Sequence, residues 1–205
     1  MKMNYPLRAL ALTALVLAVL PVRSQAAMLM IDQQNTASDG ILGNPGITGG
    51  GFGQSFTPQS SFFNAATFQL RGVSTGYTMR VDLFAGVGTG RTLLASSGSV
   101  LLTNTTLQTV EFDFPSTQTL VPNSVYTLRI VAVSSGTTSY VAYNDADSYA
   151  GGTYYSPTNT ANPNYDLTFA EGTNFAVAPE PSTWAAVVLG AGLLGVVALR
   201  RHRVA

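Results

Sequence analysis

Cysteine is absent from this 205-residue chain, and its only lysine (Lys2), histidine (His202) and tryptophan (Trp184) lie in the terminal segments. Each gap removes a chemistry. Without cysteine there is no disulfide and no thiolate nucleophile, so stability must come from core packing or a bound ion. Without an interior histidine there is no Ser-His-Asp triad and no histidine-held zinc. Charge is sparse and unevenly placed. Lys2, Arg8 and Arg23 sit at one end and Arg200, Arg201 and Arg203 at the other. Between residues 27 and 178, Arg71, Arg80, Arg91 and Arg129 face nine carboxylates, Asp32, Asp39, Asp82, Glu111, Asp113, Asp145, Asp147, Asp166 and Glu171, a net charge of −5. Nucleic-acid binding needs a basic patch, and this segment has none.

The ends carry addresses. Pro179-Glu180-Pro181-Ser182-Thr183 precedes an uncharged run from Trp184 to Leu199, followed by Arg200-Arg201-His202-Arg203. That run of 16 residues is about 24 Å long as a helix, a little short of the ~30 Å hydrocarbon core. Trp184 suits the interface at one end, and the arginines snorkel at the other. A core helix would show a polar face, and this run has none. Three arginines after the span hold it on the cytoplasmic side and leave the preceding domain outside.

The order of polar motif, span and basic tail over residues 179–205 resembles the PEP-CTERM sorting signal of Gram-negative bacteria. That resemblance implies recognition of Pro179, Glu180 and Pro181 by an exosortase-type transpeptidase. It also implies transient anchoring in the inner membrane through residues 184–199, and final placement on the outer surface or in the extracellular matrix. At the other end, Lys2 and Arg8 precede the apolar run Ala9–Leu20 and the small residues Ser24-Gln25-Ala26-Ala27. This is the layout of a secretory signal peptide over residues 1–26, cut by signal peptidase after Ala26 or after Ala27. The mature domain is expected over residues 27–174, with a linker at 175–178.

That domain is rich in Thr, Ser, Gly, Tyr, Phe and Val, and no stretch has the 3.6-residue apolar period of a helix. Apolar and charged residues alternate in Met79-Arg80-Val81-Asp82-Leu83 and in Val110-Glu111-Phe112-Asp113-Phe114, the period of a half-buried strand. Tyr126, Leu128, Ile130 and Ala132 form one face of a strand at 125–133. Further strands are expected at 53–57, 67–70, 92–96, 99–102, 139–143 and 166–169, divided by Gly/Ser/Asn/Pro turns. Gly40–Gly53 reads as a surface loop. It is no phosphate cradle, having neither a lysine nor a following helix. Eight or nine short strands predict an all-β fold, a single β-sandwich. The order of strands and turns over roughly residues 32–170 resembles secreted jelly-roll modules similar to carbohydrate-binding modules, which implies a glycan ligand.

Only carboxylate chemistry remains available. Glu111 with Asp113, and Asp145 with Asp147, have the i, i+2 spacing that puts two carboxyls on one face of a strand. Oxygens at alternate positions in Asn144-Asp145-Ala146-Asp147 also suit Ca²⁺, with Asp32 and Asp166 as further ligands if the first and last strands are adjacent. An Asx turn with solvated carboxylates explains the same residues. Tyr143, Tyr149, Tyr154 and Tyr155 are candidate glycan-stacking residues, being interleaved with Asn, Asp, Ser and Gly as in adaptable binding surfaces. Packing as strand and loop anchors is the alternative. The expected function is non-enzymatic: an exported envelope or matrix protein that binds extracellular polysaccharide. A carboxylate-dependent glycan hydrolase or lyase, and a self-associating surface protein, are the other two readings.

Overall fold

In the computed structural model the described residues are 28–43, 51–72, 77–134 and 139–175. The expected signal peptide, Pro179-Glu180-Pro181, Trp184 and the arginines of the tail lie outside them. The chain divides into two units, and Leu29–Phe175 forms the one described here. No helix among the described residues is long and apolar enough to cross a membrane.

The domain is all-β. Its strands are β1 (Met28–Asn35), β2 (Gly40–Gly43), β3 (Gly53–Phe56), β4 (Phe62–Gly72), β5 (Tyr77–Ala85), β6 (Leu93–Ser96) and β7 (Val100–Leu102). They continue as β8 (Gln108–Thr119), β9 (Tyr126–Ala132), β10 (Ser139–Asn144), β11 (Tyr154–Tyr155), β12 (Ala161–Asn162), β13 (Asp166–Leu167) and β14 (Phe169–Phe175). Two antiparallel sheets of seven strands pack as a β-sandwich. One runs β1-β14-β4-β10-β13 with β8 on β4 and β2 on β10; the other runs β12-β11-β3-β9-β5-β6 with β7 on β5.

The longer alternating stretches of the sequence became the longest paired strands of the two sheets. In β4, Phe68 and Leu70 point inward while Thr67, Gln69 and Arg71 stay partly exposed; in β8, Val110, Phe112 and Phe114 are buried and Glu111 and Asp113 exposed. Met79, Val81, Leu83, Leu128 and Ile130 supply the facing layer. Such inward stripes bury apolar area at roughly 25 cal/mol per Å², and the alternation fixes register, because a one-residue slip would turn every phenylalanine outward.

Three departures from the sequence reading matter. Gly40–Gly43, expected as loop, is a strand paired with Tyr140–Tyr143. Its glycines are there for space. A Cβ on Gly40 would lie 2.4 Å from the Tyr143 ring, and one on Gly43 would lie 3.0 Å from the Tyr140 ring. β1 is absent from the expected strands because its outward residues Met28, Met30 and Ile31 are apolar and exposed, which blurs the alternation. The last strand, expected to end at 169, breaks at Thr168 and resumes to Phe175, one residue into the expected linker. At the break, Thr168 N–H donates to Ala142 and the Thr168 carbonyl accepts from Gln69 N–H, so the chain passes from β10 to β4 without losing a backbone bond.

The corner from β8 to β9 is set locally. Pro122 and Asn123 occupy the middle of a turn closed by Ser124 N–H to the Val121 carbonyl, and Asn123 has φ +62°, the positive φ that a type II turn requires. The Tyr126 hydroxyl accepts from Val121 N–H at 2.8 Å, pinning that turn to the start of β9.

Candidate functional site

The two outer faces of the sandwich differ. On the face of the β3-β9-β5 sheet, Asp82 stands between Ser96 and Arg129, its partners in β6 and β9. Its carboxylate accepts from Arg80 Nε at 2.9 Å, Arg129 Nη2 at 3.0 Å and the Ser96 hydroxyl at 2.7 Å. Burial works against its charge, but these hydrogen bonds, with the nearby Arg80 charge, hold its pKa below the usual carboxylate value. Arg129 also lies over the Phe84 ring. The 86–91 loop covers this face next to Asp82: Gly88 N–H donates to Thr127 Oγ1, and the Thr127 hydroxyl donates to the Gly86 carbonyl. Every oxygen of Asp82 is engaged, so this network is structural.

The face of the β14-β4-β8 sheet is open. Between β1, β14, β4 and β8 lies a shallow cleft of about 210 Å³, whose polar lining includes Gln34, Thr36, Thr67, Gln69, Thr109 and Thr168, with Ile31, Phe68, Phe169 and Ala170 as its apolar part. Among the described residues no charged side chain lines it. Cross-strand register positions the donors and acceptors: Ala170 opposes Thr67, and Gln69 opposes Thr109. Hydroxyls and carboxamides both donate and accept, so the cleft offers neutral hydrogen bonding along one short lane.

Charge flanks the lane. Glu111 pairs across from Thr67 and Asp113 from Ala65. Both carboxylates accept from the side-chain amide of Asn174, at 2.6 Å for Asp113, and Asn174 is itself held by reciprocal bonds with Asn64. In the other direction Arg71 stacks on Tyr140, 4.4 Å from guanidinium carbon to ring centroid.

The four carboxylates expected at a metal do not gather. Among the described residues no group of three or more His, Cys, Asp or Glu side chains could hold a metal ion. Asn144-Asp145-Ala146 forms an Asx turn, with Ala146 N–H donating to Asn144 Oδ1 at 2.9 Å. Asp145 instead faces Asp39, whose hydrogen bond and charge raise its pKa. Asp147 takes a positive φ of 46°. Asp166 is a buried clasp between the sheets: it accepts from Gln54 Nε2 at 2.9 Å and from Tyr149 N–H at 2.8 Å, while Gln54 Oε1 accepts from Leu167 N–H. Burial raises its pKa against those bonds. Asp32 accepts from the backbone N–H groups of Gln59 and Ser60.

Asp32 has a partner that residue spacing did not reveal. Glu171 projects from β14 on the same side as Phe169, is only 1 % exposed, and has an Oε1 without a hydrogen-bond donor. Its carboxyl lies within hydrogen-bonding reach of Asp32. Burial first, and then the Asp32 charge, push its pKa up to about 8. A glutamate two residues after a phenylalanine in an alternating strand was the available signal, since period 2 puts both side chains on one face.

The tyrosines are mostly anchors. Tyr149, Tyr154 and Tyr155 are buried. Tyr149 packs edge-on to Phe169 at 5.1 Å, and Tyr154 lies against Phe52 and Tyr165. Burial pushes the Tyr149 and Tyr154 hydroxyls up to about 12. Tyr143 is partly exposed but rests on Tyr165 and over Gly40. Little ring surface on Tyr149, Tyr154 and Tyr155 is free for a sugar to stack on. Tyr140 and the neutral cleft were not among the expected site residues. They emerge only once β4, β8, β10 and β14 are side by side.

No family model matches the chain, and no curated protein does. Among solved structures, the infectious bursal disease virus Gx strain structure is similar at 16% identity, with a TM-score of 0.33. The match covers 80% of this chain, which thus spans about 45% of that one.

Proposed function

We propose that this is an exported, non-enzymatic protein of the cell envelope or extracellular matrix whose β-sandwich, read as a jelly-roll module, binds polysaccharide on the open face of the β14-β4-β8 sheet. The observation that carries the reading is the uncharged cleft of Gln34, Thr36, Thr67, Gln69, Thr109 and Thr168. Sugar hydroxyls are themselves paired donors and acceptors, and an array of hydroxyls and carboxamides answers them without the cost of burying charge. In this reading the signal peptide exports the chain. The Pro179-Glu180-Pro181 motif, the 184–199 span and the basic tail then hold it in the inner membrane until an exosortase-type enzyme releases it to the outer surface.

The hydrolase reading is weaker on geometry. Glycosidic carboxyls stand about 5–10 Å apart, with one kept protonated by its surroundings. Glu111 and Asp113 are both exposed and share one amide donor. Glu171 lies within hydrogen-bonding reach of Asp32, closer than the separation those mechanisms use. Self-association has one observation in its favour, the exposed Met28, Met30 and Ile31 on the edge strand β1.

A glycan array tests the ligand. Retention that drops at least ten-fold in Thr67→Ala/Gln69→Ala, with unchanged thermal stability, supports the cleft. No retention of any glycan, together with concentration-dependent assembly, would move the assignment to a self-associating scaffold, and release of reducing ends would revive the hydrolase. Intact mass of protein from the envelope tests the tail: a C-terminus near Pro181 supports processing, and an intact Ala205 rejects it.

A further inference from the structure

The four arginines of the domain are not equivalent. Arg80 and Arg129 are bound to Asp82, and Arg91 Nε donates to the Val87 carbonyl. Among the described residues Arg71 pairs with no carboxylate, and its buried Nε, like that of Arg129, has no acceptor. A donor left unsatisfied in this way is costly, and with nine carboxylates in the domain a neutralising partner was available to the fold.

Arg71 is also held in place. Gly43, Tyr140 and Arg71 form one cross-strand row over β2, β10 and β4. The Tyr140 ring lies close over Gly43, while Arg71 stacks on Tyr140. A stacked guanidinium has lost its rotamer freedom in advance, and its planar fork matches a carboxylate with two parallel hydrogen bonds.

The electrostatics around it are local. Along β4, Arg71 is four residues from Thr67, the partner of Glu111, or about 13 Å at the strand rise. Asp113 is further still. Asn144, which carries the contact to Asp39, is also four residues from Tyr140 along β10. Both separations exceed the ~8 Å Debye length at physiological salt, so neither acidic group cancels the field of Arg71. In sequence, the segments that follow β2 and β4 and precede β10 (44–50, 73–76 and 135–138) contain no charged residue. Gln69, in the neutral cleft, is two residues from Arg71 on the same face, about 7 Å away.

We infer that Arg71, stacked on Tyr140, is a subsite for the carboxylate of an acidic, uronate-bearing polysaccharide, with adjacent sugar hydroxyls held in the Thr67–Gln69 cleft. This rests on the glycan-binding reading and narrows its substrate class. The carboxylate enters at the one cationic position of the lane, and Glu111 and Asp113 repel an acidic unit at the opposite end, so the chain binds in one direction.

The test uses the full chain in detergent micelles, with polygalacturonate and its carboxyl-reduced, neutral form as matched probes. Wild type should bind the carboxylated polymer about ten-fold more tightly, one charge-assisted hydrogen-bonded pair, with the preference shrinking at high salt. Arg71→Gln should abolish the preference while neutral binding and melting temperature stay unchanged. Arg71→Lys should restore only part of it, because the fork is lost. Equal binding of both polymers by wild type, or a preference that survives Arg71→Gln, overturns the subsite while leaving glycan binding intact. Binding of neither polymer, nor of any glycan on the array, removes the underlying reading and this inference with it.

Discussion

Glu171→Gln should stabilise this protein at neutral and alkaline pH, and the size of the effect follows from one buried carboxyl. Glu171 is 1 % exposed, and burial plus the neighbouring Asp32 charge raise it from 4.5 to about 8. The folded form therefore keeps a proton that the unfolded chain gives up above its ordinary pKa. The stability this proton represents is fully present below pH 4.5, declines as pH rises, and is gone once pH passes about 8. Three and a half pKa units at 1.36 kcal/mol each set an upper bound of roughly 5 kcal/mol, of which about 3 kcal/mol is already lost at pH 7. The glutamine has the same shape, never ionises, and presents an N–H₂ donor to the Asp32 carboxylate. Urea unfolding of the protein at pH 5, 6, 7 and 8 reads the difference directly. With a urea m-value of about 1–3 kcal/mol/M, the wild-type midpoint should fall by about 1 M or more across the series relative to the variant. Asp166, whose pKa is also raised by burial, contributes to both proteins, so the variant-minus-wild-type difference isolates Glu171. A difference that does not grow with pH would refute the argument and mean that Glu171 is already ionised and solvated in the folded state.

Three further outcomes test other parts of the account. Asp82→Asn leaves Arg80 and Arg129 without their shared carboxylate and should cost about 2–3 kcal/mol, reduced from a fully buried pair because both arginines reach solvent; the variant should also lose the part of the acid destabilisation that comes from protonating Asp82 below its ordinary pKa. Gly172→Ala would put a Cβ 1.9 Å from the Met30 carbonyl, so β1 should detach from β14, read as loss of hydrogen-exchange protection over 29–35 with β5 and β9 unchanged. Glu180→Ala should leave the protein retained in the membrane fraction, and normal processing of that variant would remove the recognition role of the motif.

How much of this was legible in the sequence depends on where each residue's partners lie. β5 and β8 could be read because their alternation is strict. Phe112 is flanked by Glu111 and Asp113, and Val81 by Arg80 and Asp82, so the sequence itself separates core from solvent. Alternation fails where burial is decided by something else. Gly40–Gly43 looks like loop because its pairing with β10 depends on the tyrosine rings that need its missing side chains. The tyrosine-rich stretch looks like a binding surface because composition cannot say which face a ring shows, and three of those rings complete the core. The same reasoning explains why the carboxylate reading went to Asp145 and Asp147. They are close in sequence, whereas the coupled pair, Asp32 and Glu171, comes from strands near opposite ends of the domain that meet only when β1 closes on β14. The lane of Thr67, Gln69, Arg71, Thr109 and Tyr140 is likewise a product of register. Each of these residues is ordinary in its own strand, and it is the β8-β4-β10 pairing that lines a neutral cleft up with the stacked Arg71. A surface built across strands in this way, proposed here for recognition, has no linear motif. Its signature is the polar half of an alternating pattern, which sequence reading normally sets aside as solvent.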